Sequence, residues 1–395
     1  MLSKQMEKAM GNSSAIREAF EYGLKLASEI GEENVFDFSL GNPATSAPKK
    51  FDETIVKLIE TTDSVKLHGY TANDGIPAVR QAVADNLNER FGTDFEAAGI
   101  IMTVGAGGAL NTVLRSILDP EDEVVVFAPF FSEYIHYIGN YYGVTVVVKP
   151  DLETFQPDLE EFRKKISPKT KAVIVNTPNN PSGVVYSEET LRTLGQILEE
   201  KQKEYGHEIY LISDEPYREL LYDGAKHHFL TKFYDNTFIC YSFSKSLSLP
   251  GERIGYIAIT RRMAEYKKVA TALKTAVRIL GFVNAPSLMQ LVVKECLNEK
   301  TDIEYYDTNR KILYNGLTKA GFTCVKPEGA FYLFVKSPVE DEKEFCERAK
   351  KYNLMLVNGS SFDCPGYVRL SYCVAKDKIE RSIPQFEKLA KEYGL

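Results

Sequence analysis

The sequence predicts an α/β protein with a mostly parallel central sheet, helices on both faces of that sheet, and a smaller α+β domain beside it. Apolar strands such as 124–127 and 172–175 alternate with helical stretches. Near-continuous apolar strands are typical of parallel strands that are covered on both faces. After about residue 284 this alternation stops, and helices precede short strands around 331–334 and 367–371. That change predicts the second domain.

The predicted elements can be placed in order along the chain. Apolar residues at helical spacing predict a helix over 13–30, and 35–40 reads as a short strand that leads into a Gly-Asn-Pro turn. A turn-rich loop around Tyr70 precedes a helix with apolar residues at 79, 83 and 87. The further predicted strands are 100–104, 124–127, 144–148, 172–175, 209–212, 238–241 and 257–259.

A length of 395 residues predicts two domains. We place their boundaries at 1–48 for an N-terminal arm with part of the small domain, 49–283 for the large domain, and 284–395 for the small C-terminal domain. The net charge of −7 argues against nucleic-acid and anionic-membrane partners. No apolar run reaches membrane-spanning length, and the first residues lack a signal-peptide core, which predicts a cytoplasmic protein.

Cysteine and histidine spacing gives no sign of a metal site. The six cysteines are scattered without Cys-x-x-Cys spacing, which predicts reduced thiols and no disulfide framework. The five histidines show no ligand spacing, and the adjacent pair at 227 and 228 lies in a polar stretch where we expect both side chains to be solvated.

One stretch, 241–256, carries the strongest chemical signal. Lys245 follows an apolar strand, and a lysine that is desolvated there loses its proton more readily and can form an imine with an aldehyde. Ser242, Ser244 and Arg253 are hydroxyl and guanidinium donors suited to a phosphate. An aldehyde and a phosphate on one molecule indicate pyridoxal 5'-phosphate (PLP), which would make 49–283 a PLP-binding domain. Taken alone, the same pattern also fits a solvated lysine.

Other polar clusters follow the predicted strands. The turn at Gly105-Ala106-Gly107 opens a helix and offers free N–H groups to a phosphate, although many glycine turns serve only the backbone. An amide-rich loop at 176–183 follows another strand, and Asp214 follows a third. Ligands of parallel sheets bind at the carboxyl ends of the strands. These clusters therefore predict one shared site.

Each group that a PLP site needs has a candidate. Asp214 can keep the pyridine nitrogen protonated, although it can also be a cap, and Tyr217 and Asn180 can bond the ring's phenolic oxygen. Phe131 can stack on the ring, although core packing is the commoner role of phenylalanine. Arg369 can bind a substrate carboxylate bidentately, although an arginine in such a strand is often a surface ion-pair partner.

With these residues assembled, the chain resembles the class I/II aminotransferases, which are PLP enzymes of fold type I and include the aspartate aminotransferases. The resemblance runs from Gly41 to Arg369. It is carried by Ser-x-Ser-Lys…Pro-Gly-x-Arg-x-Gly over 242–255, by Asn-x-Pro-x-Asn-Pro-x-Gly over 176–183, and by Asp214-x-x-Tyr217.

The resemblance implies roles for matched positions. Lys245 would be the Schiff-base lysine and general base, with Asp214 and Tyr217 as its catalytic partners and Tyr134 supporting the aspartate. Tyr70 would reach the phosphate of a neighbouring subunit, so the active site would need a homodimer. The implied cofactor residues are Gly105, Ala106, Gly107, Phe131, Asn180, Asp214, Tyr217, Ser242, Lys245, Arg253 and Tyr70, and the implied substrate residues are Gly41, Asn180 and Arg369.

The family's reaction implies ping-pong transfer of an amino group from an L-amino acid to a 2-oxo acid, with aspartate or glutamate and 2-oxoglutarate as one candidate pair. Two departures leave the substrate open. Gly107 stands where many bacterial aspartate aminotransferases place a lysine, and Ile279 stands where another lineage has an arginine. Arg278, one residue away, is either a reader of a distal carboxylate or a solvated helix-end residue. Phe331 and its aromatic neighbours would also suit an apolar or aromatic substrate side chain.

Two other functions remain open at this point. A PLP-dependent C–S β-lyase shares the cofactor residues, although the complete Asn-Pro-x-Gly loop and Arg369 favour transfer over elimination. An aminotransferase-like effector domain of a transcription regulator is the non-enzyme alternative. Fewer than about fifty residues precede the Gly-x-Pro turn at 41–43, which is too few for a DNA-binding domain.

Overall fold

The computed structural model describes residues 2–11 and 14–395, so residue 13 of the predicted helix 13–30 lies outside the described residues. The strands are β1 Phe36–Asp37, β2 Ile100–Thr103, β3 Glu123–Phe127, β4 Val144–Val148, β5 Thr170–Asn176, β6 Tyr210–Asp214, β7 Thr237–Ser242, β8 Gly255–Ala258, β9 Tyr332–Lys336, β10 Leu354–Met355, β11 Val357–Asn358 and β12 Tyr367–Ser371. The α-helices are α1 Lys4–Gly11, α2 Ala15–Ile30, α3 Lys49–Thr61, α4 Ser64–His68, α5 Pro77–Phe91, α6 Gly105–Ile117, α7 Glu133–Gly139, α8 Leu159–Lys165, α9 Glu188–Tyr205, α10 Phe243–Ser246, α11 Tyr266–Ile279, α12 Ser287–Glu295, α13 Ile303–Lys319, α14 Glu342–Lys350 and α15 Lys376–Glu392.

A seven-stranded sheet in the order β2-β8-β7-β6-β5-β3-β4 forms the centre of the protein. Every neighbouring pair from β7 to β4 is parallel, whereas β8 runs antiparallel to both β7 and β2. The register pairs Asn176 with Asp214 and Asp214 with Cys240, so β5 and β6 end level and β7 continues two residues further, to Ser242. The predicted mostly parallel sheet is confirmed.

Helices cover both faces of this sheet, and the alternation of side chains along each strand decides which face a residue joins. On one face Val124 and Val126 pack in a cluster with α6 and α11. On the other face Val125 packs in a cluster that includes the inward side of α9. Because both faces are covered, the strands are apolar throughout, which is the pattern visible in the sequence.

A second group of elements surrounds a separate apolar cluster. Strands β11, β12 and β9 form an antiparallel sheet, against which α13, α14 and α15 contribute buried residues. Phe36 and Phe38, from the beginning of the chain, are buried in the same cluster. Helix α12 instead packs on α3, α4 and α5. The boundaries at 48 and 283 stay a prediction.

The strand predicted over 35–40 is much shorter in the structure, where only Phe36–Asp37 pairs, in parallel, with Leu354–Met355. The chain beyond it uses its carbonyl groups differently. The carbonyl oxygen of Ser39 accepts a hydrogen bond from Arg369, and that of Gly41 accepts one from Lys245. Side chains therefore take the place of a neighbouring strand.

The structure also bears on the expectations about membrane spans, cysteines and histidines. Within the described ranges, no helix is long and apolar enough to cross a bilayer. All six cysteines have free thiols. The expectation that His227 is solvated is wrong, because its side chain is only 3% exposed and its Nε2 lies 3.3 Å from a carboxylate oxygen of the buried Glu215.

Candidate active site

A cavity of about 300 Å³ lies where β5, β6 and β7 end. Eleven of the sequence-predicted site residues line it: Gly41, Ala106, Gly107, Phe131, Asn180, Asp214, Tyr217, Ser242, Lys245, Arg253 and Arg369. They come from seven separate parts of the chain, so the fold brings together what the sequence keeps apart. The lining also includes Ile16, Leu40, Tyr137, Asn176, Ser244 and Tyr332.

Lys245 projects into this cavity from α10, a single helical turn that follows β7 directly. Ser242 caps the turn by accepting a hydrogen bond from the backbone N–H of Ser244 at 3.2 Å. The Lys245 Nζ donates to the carbonyl oxygen of Gly41 at 2.7 Å. Burial, assisted by the positive charges of Arg253 and Arg369, lowers the pKa of the Lys245 amine to about 8. A substantial fraction of this amine is therefore neutral in mildly alkaline water.

Asp214 ends β6 and presents one free carboxylate oxygen. Its Oδ2 accepts a hydrogen bond from the Tyr134 hydroxyl at 2.5 Å, whereas its buried Oδ1 has no partner. Burial raises the pKa of Asp214 to about 7, the negative charge of Glu215 adds to this, and the hydrogen bond from Tyr134 opposes it. A positively charged N–H group placed at Oδ1 would keep the carboxylate ionised.

The start of α6 and Arg253 adjoin each other at the cavity, where Ala106, Gly107 and Arg253 are lining residues and Gly105 lies just behind Arg253 without lining the cavity. Gly105 begins α6 with a φ of +76°, a conformation that glycine adopts without strain. A side chain at this position would crowd Arg253, whose Nη2 lies 3.1 Å from the position a Cβ would occupy. Free N–H groups at the start of α6 and the Arg253 guanidinium are thus adjacent, which suits a phosphate group.

Arg369, on β12, also lines the cavity, and it is 2% exposed, so it is not a surface ion-pair partner. Its Nη1 donates to Asn180 Oδ1 at 3.0 Å and its Nη2 donates to the Ser39 carbonyl oxygen at 2.5 Å, while the buried Nε has no partner. The guanidinium carbon is 4.6 Å from the ring centroid of Tyr332. Among the described residues this buried cation has no counter-ion, and it is therefore suited to bind a carboxylate.

The polar loop after β5 and the segment after β6 complete the site. The Asn176 side chain joins them, because its Oδ1 accepts from the backbone N–H of Asn180 at 2.8 Å and its Nδ2 donates to the Asp214 carbonyl oxygen at 2.9 Å. Tyr217 is buried, and its hydroxyl lies 3.0 Å from the Tyr332 hydroxyl. Phe131 packs edge-on against Tyr134, with ring centroids 5.7 Å apart.

Tyr70 and Arg278, which the sequence also singled out, lie outside the cavity. Tyr70 is 89% exposed and is not part of the cavity lining, so its role in a neighbouring subunit stays a prediction. Arg278 is exposed on α11 and does not line the cavity either.

Sequence reasoning missed Ile16, Tyr137 and Tyr332 as lining residues. Tyr332 lies next to Phe331, in the aromatic run that drew attention for substrate fit, so it had a weak signal. Ile16 was assigned only to the apolar side of a helix, and nothing in its neighbourhood indicates that α2 reaches the cavity.

Comparison with known proteins decides the family. The family described as aminotransferase class I and II matches residues 33–385. The chain belongs to the class I and II aminotransferases. This aminotransferase is 33% identical over 360 residues to the aspartate aminotransferase of Thermotoga maritima, covering 90% of this chain and 91% of that one. It is 34% identical over 325 residues to a probable aspartate/prephenate aminotransferase of Thermus aquaticus, covering 80% and 82%.

Solved structures give the same result for the fold. The crystal structure of an aminotransferase from Eubacterium rectale matches with a TM-score of 0.97 and 46% identity over all of both chains. The aspartate aminotransferase of Thermus thermophilus with maleate matches with a TM-score of 0.88 and 29% identity over 98% of this chain and 99% of that one. The fold is that of the PLP enzymes of fold type I.

Aminotransferases of this family use PLP as their cofactor, and the site residues fit it. The free Oδ1 of Asp214 provides the partner that a protonated ring nitrogen requires. The glycine turn at Gly105 and Arg253 provides donors for the phosphate, and the Lys245 amine is free to meet the aldehyde. The protein is a PLP-dependent aminotransferase.

Proposed function

We propose that this enzyme transfers the amino group of an L-amino acid to a 2-oxo acid by a ping-pong mechanism, with aspartate or glutamate and 2-oxoglutarate as the first substrates to test. The observation that carries the proposal is the geometry around Lys245. Its amine, with a pKa of about 8, lies in one cavity with the free Oδ1 of Asp214 and with the guanidinium of Arg369, whose Nε has no hydrogen-bond partner among the described residues. In this proposal Lys245 reacts with the aldehyde of the cofactor, Asp214 pairs with its ring nitrogen, and Arg369 binds the carboxylate of the substrate.

When it is bound, PLP supplies an electron-accepting ring that makes the Cα–H bond of an amino acid acidic. Asp214 holds the ring nitrogen protonated through Oδ1, supported by Tyr134. Tyr217 and Asn180 bond the phenolic oxygen, and Phe131 packs against the ring. Gly105, Ala106, Gly107, Ser242 and Arg253 hold the phosphate.

Lys245 moves the proton in this proposal. Its amine, once freed by the incoming amino group, removes the proton from the substrate Cα and would deliver it to the C4' carbon of the bound cofactor. Its pKa of about 8 suits this role, because a general base works best when its pKa lies near the operating pH. The Gly41 carbonyl oxygen, which accepts from Nζ at 2.7 Å, keeps the amine within the cavity.

Arg369 binds the α-carboxylate of the substrate, with Asn180 and the Gly41 backbone beside it. The Nη1–Asn180 and Nη2–Ser39 hydrogen bonds fix the guanidinium plane. A fixed guanidinium offers two parallel N–H donors to a carboxylate at little entropic cost. Because Arg369 binds the α-carboxylate in a fixed orientation, it also directs the substrate Cα toward Lys245.

The choice of a dicarboxylic substrate draws its support from relatives. Those from Thermotoga maritima and Thermus thermophilus are aspartate aminotransferases, and the latter was solved with maleate, a dicarboxylate. In this chain Gly107 contributes no charge to the distal side of the cavity. Arg278 is exposed on α11, so it would act on a dicarboxylate across a dimer.

The proposal includes a homodimer in the cytoplasm, without nucleic-acid or membrane partners. The exposed Tyr70 would enter the neighbouring subunit's cavity and bond the cofactor phosphate there. We expect Tyr70→Phe to weaken PLP binding without changing the dimer, whereas Tyr142→Phe, another exposed tyrosine, leaves PLP binding unchanged. Titration with PLP and analytical ultracentrifugation measure the two properties. Equal PLP affinity in both variants would contradict the role of Tyr70.

The test of function uses purified, PLP-loaded enzyme and a panel of single amino acids. We expect the absorption band of the aldehyde form of the cofactor to disappear with good substrates and to return when a 2-oxo acid is added. The rates rank the substrates directly. If aspartate and glutamate lead, Arg278→Ala is the next variant, with Lys274→Ala on the same helix as its control.

Two outcomes would overturn the proposal. Release of ammonia and a 2-oxo acid without any acceptor would identify a β-lyase instead. A cofactor band in Lys245→Ala that is identical to that of the unaltered enzyme would remove Lys245 from its role.

A further inference from the structure

Two buried tyrosine hydroxyls meet in the wall of the cavity. The hydroxyl oxygens of Tyr217 and Tyr332 are 3.0 Å apart, and the residues are 6% and 3% exposed. Their rings pack edge to face, with centroids 5.6 Å apart. Tyr217 has a role in the proposed function, whereas Tyr332 has none so far.

The position of the Tyr332 hydroxyl is fixed from two other directions. A Cβ built on Gly41 would lie 2.0 Å from it, so the hydroxyl fills the space that the missing side chain leaves. On the ring face, the guanidinium carbon of Arg369 lies 4.6 Å from the centroid. This contact holds the ring and draws electron density from the phenol, which makes its hydroxyl a better donor.

Counting protons gives the direction of the hydrogen bond in the working enzyme. Each tyrosine hydroxyl has one proton to donate and two lone pairs to accept with. If Tyr217 donates its proton to the phenolic oxygen of the cofactor, the bond between the two tyrosines must be donated by Tyr332. A hydroxyl that accepts one hydrogen bond becomes a stronger donor in the next.

We propose that Tyr332 is a positioning residue that directs the Tyr217 hydroxyl toward the phenolic oxygen of the cofactor and strengthens its donation. The inference rests on the proposed function, because it assigns Tyr217 the contact described there. It adds a residue that the sequence motifs do not include, and it connects the carboxylate-binding Arg369 to the cofactor through one aromatic ring.

The consequence can be read from the pH dependence of the cofactor's absorption. Donation from Tyr217 stabilises the negative charge on the phenolic oxygen, and so favours the form of the bound cofactor with fewer protons. Without Tyr332 that donation weakens, and the cofactor takes up its proton at a higher pH. The midpoint of the absorption change therefore rises.

The experiment compares the midpoints of four PLP-loaded proteins in the absence of substrate. For Tyr332→Phe, which keeps the ring and removes the hydroxyl, we expect a rise of about half a pH unit. Tyr222→Phe is the matched control, since its buried hydroxyl bonds the Ala330 carbonyl oxygen outside the cavity, and its midpoint stays unchanged. We expect Tyr217→Phe to raise the midpoint more than Tyr332→Phe does.

The double variant Tyr217→Phe with Tyr332→Phe separates positioning from a general disturbance. If Tyr332 acts through Tyr217, the double variant has the midpoint of Tyr217→Phe alone. Additive shifts, or an unchanged midpoint in Tyr332→Phe, would overturn the inference and leave the proposed function intact. An unaltered enzyme that transaminates none of the amino acids would overturn both.

Discussion

The Tyr134 hydroxyl donates a 2.5 Å hydrogen bond to one carboxylate oxygen of Asp214 and leaves the other oxygen of this buried group without a partner. The two oxygens of this carboxylate can therefore have different roles. Oδ2 anchors the side chain to the first turn of α7, and Oδ1 remains available to a ligand. Burial raises the pKa of Asp214 to about 7, so the carboxyl group is only about half ionised at pH 7 until a cation binds beside it.

Replacing Tyr134 by phenylalanine should weaken PLP binding about tenfold or more at pH 7, because a hydrogen bond to a charged group is lost. Without Tyr134 the pKa of Asp214 rises further, so less carboxylate is ionised to meet the ring nitrogen. The difference in PLP affinity between Tyr134→Phe and the unaltered enzyme should become smaller at pH 9, because Asp214 is then ionised in both proteins. Titration of cofactor-free enzyme with PLP measures it.

Tyr205→Phe is the control for that variant, since its hydroxyl bonds the Ile166 carbonyl oxygen away from the cavity. PLP affinity in Tyr134→Phe that matches this control at pH 7 would show that the hydrogen bond to Asp214 is unimportant.

The amine of Lys245 should react as a base with a pKa of about 8. In cofactor-free enzyme, its acetylation rate should rise with pH and reach half its maximum near pH 8, because only the neutral amine is nucleophilic. Ordinary lysines reach half their maximal acetylation rate only at a pH of about 10.4. Peptide mass spectrometry with a labelled reagent follows each site, and Lys245→Ala identifies the peptide. A midpoint near that of ordinary lysines would contradict the effect of burial.

Gly255→Ala should destabilise the enzyme by about 1–3 kcal/mol through overpacking. A Cβ at this position would lie 2.2 Å from the Tyr241 carbonyl oxygen and 3.0 Å from the Cα of Gly105. Since Gly105 begins the turn that we propose to bind the phosphate, PLP affinity should fall as well. Thermal unfolding and PLP titration measure the two effects.

Gly251→Ala is its matched control, four residues away in the chain, because a Cβ there meets no atom within 4 Å. If both variants have the same melting temperature, the close approach of β8 to the glycine turn does not contribute to the stability of the fold.

Arg369→Lys should lower kcat/KM for amino acids about a hundredfold, mostly through a higher KM, because lysine cannot reproduce the bidentate fork. The charge is retained, so the loss reports geometry. Steady-state kinetics with the leading substrate pair measure it. Arg348→Lys, at an exposed ion pair with Glu392, should behave like the unaltered enzyme. An unchanged KM in Arg369→Lys would exclude Arg369 as the carboxylate site.

The sequence predicts the sheet well because strands covered on both faces must be apolar, and that requirement is written locally in β3, β5 and β6. It also places the polar residues at the ends of those strands, so Asp214 and Asn180 could be expected in one site. The antiparallel direction of β8 has no such local signal, since a reversed strand buried on both faces has the same apolar composition.

The residues that escaped prediction reach the site through tertiary contacts. Ile16 lines the cavity because the orientation of α2 brings it there, and periodicity specifies only which side of a helix is apolar. The short length of β1 likewise follows from side chains that claim the carbonyl groups of Ser39 and Gly41. Tyr332 acquires its neighbours, Gly41 and Arg369, only when both ends of the chain meet.

The hydrogen bond from Arg369 to the Ser39 carbonyl oxygen joins residues 330 positions apart in the chain. During synthesis the first of these leaves the ribosome long before the second is made. The large sheet can form on a growing chain, because its strands are contiguous in sequence between 100 and 258. The carboxylate-binding site that we propose at Arg369 cannot form in this way. We therefore expect a nascent chain to acquire most of its fold and to stay inactive until its last strand, β12, is in place.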